Sequence, residues 1–408
     1  MASAKNGKFD VGGVLMNQPF KIRRLGHFGF NLRNMEAGLH FYTDLLGFRI
    51  SDVIDYSRRA EDPAQMAGLG DPNGYFTRYG TDHHAMVLFP QRVREALGRH
   101  EQPGITINQI TWQVGSLAEV GNAIKWFNQR SIKQQRSGRD MPGSNWHTYL
   151  YDPDGQSNEL YYGIEQIGWN GHSKPQAMYD RGFDRSPELP QISEFTEVEQ
   201  ARARGIDIFS GYRYLDKLPA IYDVDGVLLA RPFKIVRLGP VYLFTENLET
   251  ASEFYGDTLG FTLTEEVVWQ GERCLFFRAN TEHHALALFP LKLRERLGLT
   301  PHSKCAAFGL QLANYHQLKA AVKFLRDQGA EVKEALPPEL HPGIEYSATV
   351  NDPDGHTLQL YCAMEQIGWD GKPKPKELRQ RRKLADWPET LANETSAYLG
   401  EPFLGPWG

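Results

Sequence analysis

Three polar side chains set into apolar, strand-like runs carry the first chemical signal in this chain: His27 in RRLGHFGF, Gln109 in ITINQITWQV and Glu159 in GQSNELYY. An imidazole nitrogen and a carboxylate converging on one cleft suit a hard-to-borderline divalent ion such as Fe2+ or Mn2+. The amide oxygen of Gln109 can add a weak third donor. With a strand period of two, His27 is expected to share its face with Leu25 and Gly29. Two further groups stand nearby in sequence: the pair His83 and His84 before an apolar run, and Asn145, Trp146, His147 and Tyr149 just before the final strand. An imidazole has the titration point to take a proton from a phenol. An aromatic wall suits a flat aromatic ligand. Each residue also has a plainer reading. His27 can be a half-buried strand histidine with a satisfied hydrogen bond, Glu159 a solvent-facing strand residue, and Gln109 an ordinary polar strand position.

A comparison of the chain with itself weighs these readings. FDVGGVLMNQPFKIRRLGHFGF from Phe9 returns as YDVDGVLLARPFKIVRLGPVYLF from Tyr222, and GTDHHAMVLFP from Gly80 as TEHHALALFP from Thr281. YDPDGQSNELYYGIEQIGWNG from Tyr151 returns as NDPDGHTLQLYCAMEQIGWDG from Asn351. In this alignment Pro240 takes the place of His27, Ala307 that of Gln109 and Gln359 that of Glu159. Three candidate donors disappear together while the surrounding pattern persists, which favours a metal site confined to the first half. His83 and His84 recur as His283 and His284, so that pair has a partly structural role.

The elements that must position these residues follow from the same repeats. Each half reads as strand, helix and short strands, twice over, with KIRRLGHFGFNL and ITINQITWQV as first strands and LAEVGNAIKWFNQR as a helix. A unit this small cannot bury its own sheet face, so paired units are expected to curl around a shared cup. The predicted class is α+β: four βαβββ modules in two paired-module domains. The boundaries are 1–172 for the domain with the metal site, 173–222 for a linker, 223–372 for the domain without ligands, and 373–408 for a tail.

Composition excludes several classes. Hydrophobic residues make up 41% and charged residues 23% of 408, with a net charge of −5 and a pI near 6.2. That balance gives no bias toward nucleic acid or acidic membranes. No apolar run approaches the roughly 20 residues that cross a bilayer, and the N-terminus lacks the apolar core of a secretory signal. Three cysteines, Cys274, Cys305 and Cys362, form neither a disulfide framework nor a zinc knuckle. A cytoplasmic protein with no nucleic-acid or membrane partner is expected.

The strand-entry run RRLGHFGFNLRNMEAGLHFYTDLLGF, the DHHAMVLFP strand and the DPDGQSNELYY terminus resemble type I extradiol ring-cleaving dioxygenases of the vicinal oxygen chelate superfamily. The resemblance covers nearly all of 20–165 and, more weakly, 233–365. It implies βαβββ modules paired into metal-holding cups, Fe2+ as the metal with Mn2+ or another divalent ion as the alternative, and a small aromatic substrate with O2. His27 and Glu159 match the family's first and last ligands, His84 its acid/base histidine, and Tyr149 a tyrosine that touches substrate or oxygen. Two positions depart from the pattern. Gln109 stands where a ligand histidine is usual, and Asp140 stands beside the substrate where the family carries a histidine. Glutamine does serve as a ligand in glyoxalase- and epimerase-like members. The resemblance therefore implies a ring-cleaving oxidoreductase of aromatic hydrocarbon catabolism, acting on a catechol- or hydroquinone-like ring and assembled as a homo-oligomer. The alternatives are a metal-dependent isomerase, epimerase or hydrolase, and a non-catalytic small-molecule binding protein.

Overall fold

Alternating apolar side chains build two mixed sheets, one in each half of the chain. The computed structural model describes residues 4–5, 7–139, 142–168, 170–179, 182–380, 382–391 and 397–398. In the first half the sheet strands are β1 (Ile22–Leu32), β2 (Arg49–Asp55), β3 (Asn73–Arg78), β4 (Met86–Pro90), β5 (Ile107–Val114), β6 (Gln134–Arg139), β7 (Trp146–Tyr151), β8 (Ser157–Tyr162) and a two-residue edge, β9 (Gly182–Phe183). They lie in the order β9-β6-β7-β8-β5-β1-β4-β3-β2. Each module keeps its first strand parallel to its last, β1 beside β4 and β5 beside β8, and the two modules join through antiparallel β1 and β5.

The second half repeats this plan with β10 (Ile235–Thr245), β11 (Thr262–Trp269), β12 (Glu272–Arg278), β13 (Leu286–Pro290), β14 (Cys305–Leu312), β15 (Val332–Lys333), β16 (Ser347–Asn351) and β17 (Thr357–Tyr361). Their order is β11-β12-β13-β10-β14-β17-β16-β15. The expected α+β class, with βαβββ modules in two pairs, is the observed one.

Local chemistry explains the elements between the strands. Helix α1 (Leu117–Gln129) starts where the Ser116 side chain accepts from the Glu119 amide, and it buries Val120, Ala123, Ile124, Trp126 and Phe127. Phe20 packs on the rings of Trp126 and Phe127 at 5.8 and 5.6 Å. Helix α2 (Tyr315–Asp327) is its counterpart, capped by Asn314. The Asp-Pro-Asp-Gly sequences are tight turns, with Gly155 and Gly355 at φ of 88° and 86°, a backbone that favours glycine. The repeat also runs past the last strands, since short turns at Gln176–Met178 and Lys376–Leu378 occupy matching places.

The chain packs as two compact units whose borders cross the repeat. The first takes residues up to Leu32, Phe48–His100 and Ile107–Leu215, and the second takes Arg33–Gly47, Glu101–Thr106 and the chain from Asp216 on. The helical segment after β1, Met35–Leu39 running into wider turns over His40–Leu45, therefore belongs with the second unit. Tyr42 donates its hydroxyl to Asp352 at 2.9 Å, the Arg33 amide donates to Asp354 at 2.5 Å, and Arg231 Nε donates to the Asp44 carbonyl at 2.8 Å.

All three cysteines are buried as free thiols. Burial pushes Cys274 and Cys362 up to about 12, and Cys305 also upward. A thiol reacts through its thiolate. Native protein at pH 8 should thus leave a disulfide reagent such as DTNB almost unconsumed, with three equivalents released after unfolding in guanidinium. A fast equivalent from native protein would show that one of these sites opens.

Candidate metal centre

Strand register brings the candidate residues together. Across the first sheet one row of paired residues runs from His27 on β1 to Thr111 on β5, Glu159 on β8, Tyr149 on β7 and Arg136 on β6. Paired residues share a face, so these side chains project to one side. Gln109 pairs with Gly29 one step along on the same face. Leu25 does not join them. An irregularity between Leu25 and His27 pairs Leu25 with Trp112 and His27 with Thr111, which sends Leu25 to the opposite face. The simple alternation expected for Leu25 fails because Gly26 is bulged. A Cβ built at Gly26 would lie 2.1 Å from the Tyr161 hydroxyl, so the ring of Tyr161 occupies the space that any other residue would need.

At the centre, His27 Nε2 and Glu159 Oε2 are 3.1 Å apart, with the two residues 1% and 0% exposed. Thr111 donates its hydroxyl to the same carboxylate oxygen at 2.8 Å, and Asn145 donates its amide to the other at 2.8 Å. His147 Nδ1 lies 3.9 Å from Glu159 Oε1. The Tyr149 hydroxyl points at Gln109 Oε1 from 3.5 Å, and the Arg136 guanidinium stacks 4.2 Å from the Tyr149 ring centre. Burial by itself would raise the Glu159 carboxyl. The charge and hydrogen bond of His27, the charge of His147 and the Tyr149 hydroxyl outweigh it and hold the group at about 2.

His84 stacks edge-on to His27 at 4.3 Å between ring centres and shares an Nδ1–Nδ1 hydrogen bond of 3.1 Å with His83. Burial, then the charges of His27 and His83, push its pKa well below the ordinary histidine value. His84 is thus a neutral imidazole against the centre, able to accept a proton but a weak base. The same 3.1 Å pair recurs at His283 and His284.

Other expected residues are placed differently. Trp146 alternates to the face opposite Glu159, and its indole lies 5.0 Å from the Arg185 guanidinium, lining a cavity of about 700 Å3. Asp140 lies outside the described residues. Thr111 is a contributor that sequence reading passed over, although its place two residues after Gln109 on one strand is a usable signal.

The second half shows what the loss of ligands entails. Pro240, Ala307 and Gln359 occupy the three donor positions, and Tyr242 stands where the first half has Gly29. The Tyr242 hydroxyl donates to Gln359 Oε1 at 2.7 Å and accepts from His284 Nε2 at 3.2 Å. Its ring belongs to a buried cluster with Phe276, Phe289, Leu336 and Leu340. A phenol ring therefore fills the floor that Gly29 leaves open.

The residues present in the first half fit a divalent ion. Two donors about 2.1 Å from one ion and near right angles stand roughly 3 Å apart, which is the spacing of His27 Nε2 and Glu159 Oε2. An ionised carboxylate only accepts, so His27 Nε2 carries the proton there; the other ring nitrogen, Nδ1, is buried without a hydrogen-bond partner. No group of three or more His, Cys, Asp or Glu able to hold a metal ion occurs among the described residues. The register sets the neutral amide of Gln109 on the same face, one step along from this pair.

A family model described as "Glyoxalase/Bleomycin resistance protein/Dioxygenase superfamily" matches residues 24–160 and 237–360, the first span holding His27, His84, Gln109, Tyr149 and Glu159. Metapyrocatechase 2 of Cupriavidus necator is 27% identical over 186 residues, which is 44% of this chain and 50% of that protein. A solved 2,3-dioxygenase from Pseudomonas sp. KL28 has a TM-score of 0.53 at 15% identity, covering 87% of this chain and 96% of its own. A Mn(II)-bound glyoxalase from Novosphingobium aromaticivorans has a TM-score of 0.52 at 15% identity, covering 95% and 93%. At these identities the two structures bear on the fold alone.

Proposed function

Since the chain belongs to the glyoxalase/bleomycin resistance protein/dioxygenase superfamily, we propose that it is an Fe2+-dependent extradiol-type dioxygenase that opens a catechol- or hydroquinone-like ring. The observation that carries this reading is the buried His27–Glu159 contact at 3.1 Å, on one sheet face with Gln109 and Tyr149 and capped by a neutral His84. His27, Glu159 and Gln109 would hold the ion, and Mn2+ suits the same donors. A divalent ion held there would supply Lewis-acid activation of a phenolic oxygen and a redox path between the ring and O2.

The remaining steps belong to the protein. Thr111 and Asn145 occupy both carboxylate oxygens of Glu159 from the protein side, which fixes its orientation. His84, held neutral by burial, would take the phenolic proton. Tyr149 offers a hydroxyl beside Gln109, and Arg136 holds its ring in place. Burial of the whole set excludes water, which strengthens every electrostatic contact there.

The neutral amide of Gln109 favours a second reading. With a softer demand for electron donation, the same site on Mn2+ would act as a Lewis acid in an isomerisation or hydrolysis. Oxygen consumption separates the two. Protein loaded anaerobically with Fe2+ should take up O2 stoichiometrically with at least one member of a panel of catechols and hydroquinones. Silence across the panel from protein holding a full iron equivalent would remove the dioxygenase reading. The small aromatic substrate, O2 as co-substrate, a cytoplasmic location and a homo-oligomeric state are parts of the same proposal. No described helix is long and apolar enough to cross a membrane.

A further inference from the structure

The second half keeps a cavity of about 640 Å3 despite its plugged floor. That volume lies within the range of small-molecule sites, roughly 300–1,000 Å3. Ser347 and Thr349 reach it from β16, at the positions that His147 and Tyr149 hold in the first half, and Val267, Leu336 and Ile344 form apolar walls. Register sets Lys333 opposite Thr349, as Arg136 stands opposite Tyr149 in the first half, and Leu336 lies three residues further on.

Two sets of contacts define what the cavity can take. Five cations and four carboxylates line the mouth, and three of the cations are paired. Arg379 pairs with Glu265 at 2.7 Å, with Lys376 at 3.9 Å from the same residue, and Arg382 lies 3.6 Å from Glu345. Ions already paired offer little net attraction to another ion. Among the polar lining, Ser347 offers a donor and His341 an acceptor. Ser347 Oγ accepts from Gln359 Nε2 at 2.8 Å, which leaves its own proton to give. His341 Nδ1 is 3.1 Å from the Ile344 carbonyl, so Nδ1 carries the proton and Nε2 the lone pair. Burial pushes His341 down to about 4, so the ring is neutral near pH 7.

We propose that the second half is a non-catalytic binding site for an uncharged, ring-sized molecule bearing a hydroxyl group, such as a phenol. A hydroxyl both donates and accepts, matching Ser347 and His341 together, whereas a carboxylate would set its lone pairs against that of His341. Tyr242 spends its hydroxyl on Gln359 and His284, so no metal reaches the floor and the ligand leaves unchanged. The site does not depend on the dioxygenase reading of the first half.

Calorimetric titration of the full-length protein with phenol tests it, with benzoate as the charged comparison. Expected is one phenol site that persists in Glu159→Gln, weakens at least tenfold in Leu336→Trp, which fills the cavity, and several-fold in Ser347→Ala. Benzoate should bind that site at least tenfold more weakly than phenol. The proposal is overturned if wild-type protein shows no such site, if the site vanishes in Glu159→Gln, if neither cavity variant weakens it, or if benzoate matches phenol. Should Leu336→Trp fail to fold, Ser347→Ala with the benzoate comparison decides alone.

Discussion

Glu159→Gln is expected to strip the first half of its metal while leaving the chain folded. The carboxylate supplies an anionic oxygen to the candidate face, 3.1 Å from His27 Nε2. Replacing it with an amide of the same shape removes the charge that a divalent ion needs and keeps the volume. Asn145 can still donate to the remaining amide oxygen, and the His27 ring can change tautomer to accept from the new NH2. The cost to folding should stay near 1–3 kcal/mol, the range for disturbing a buried hydrogen-bonded group. Metal affinity should fall about 100-fold or more, beyond what loss of a supporting residue brings, and any turnover with it. Elemental analysis after Fe2+ or Mn2+ loading, alongside a urea melt, reads both effects. A variant that still carries one equivalent of metal would mean that the ion sits elsewhere.

Gly26→Ala should have the largest effect on the fold of the first unit, although the position carries no chemistry. The added Cβ would lie 2.1 Å from the Tyr161 hydroxyl and 2.3 Å from its Cε1. Tyr161 is fully buried and packs 4.8 Å from the His27 ring, so it has no free direction in which to retreat. Overpacking of this kind costs about 1–3 kcal/mol and sometimes more; a loss at the upper end, roughly 3 kcal/mol, is expected here. Relief by straightening the bulge would be worse, because it would turn His27 away from Glu159. Thermal melting should show a drop of several degrees together with loss of bound metal. The double variant Gly26→Ala, Tyr161→Leu should recover part of the melting temperature by vacating that space. A Gly26→Ala protein that melts like the parent would show that the bulge is not what aims His27.

The two halves make the same point by contrast. Tyr361 in the second half donates its hydroxyl to the Gly239 carbonyl at 2.9 Å, so its ring also meets the glycine before the ligand position. The bulge thus survived where Pro240 replaced the histidine. What changed is the side chain one step further along the strand, Gly29 against Tyr242. With Tyr242 in the cup, restoring the three donors alone would not restore a metal site, since its ring occupies the floor they would face.

Much of this protein is written in local sequence. The duplicated motifs specify two like halves because each motif is an element with its own cap or turn, such as Ser116 before α1 and the glycines of the Asp-Pro-Asp-Gly turns. Alternation placed Gly29 with His27 and put Gln109 and Thr111 on a common face, since period-two pleating is a property of the strand itself. The co-ordinated loss of the donors, replaced by Pro240, Ala307 and Gln359 in the second half, was likewise visible by simple alignment.

Other features came only with the tertiary structure. The bulge at Gly26 exists because Tyr161, 135 positions away in the SNELYY strand, needs the space, and no local pattern records that contact. The grip of Thr111 and Asn145 on Glu159 depends on the register of β5 and β7 against β8, which is set by the pairing of whole strands. The packing of Arg33–Gly47 with the second unit rests on hydrogen bonds to Asp352 and Asp354, far along the chain. Sequence determined which residue types each element presents, because propensity and period act over a few neighbours. Tertiary structure decided which of them meet, because bulges, register and unit borders are settled by contacts between residues a hundred or more positions apart.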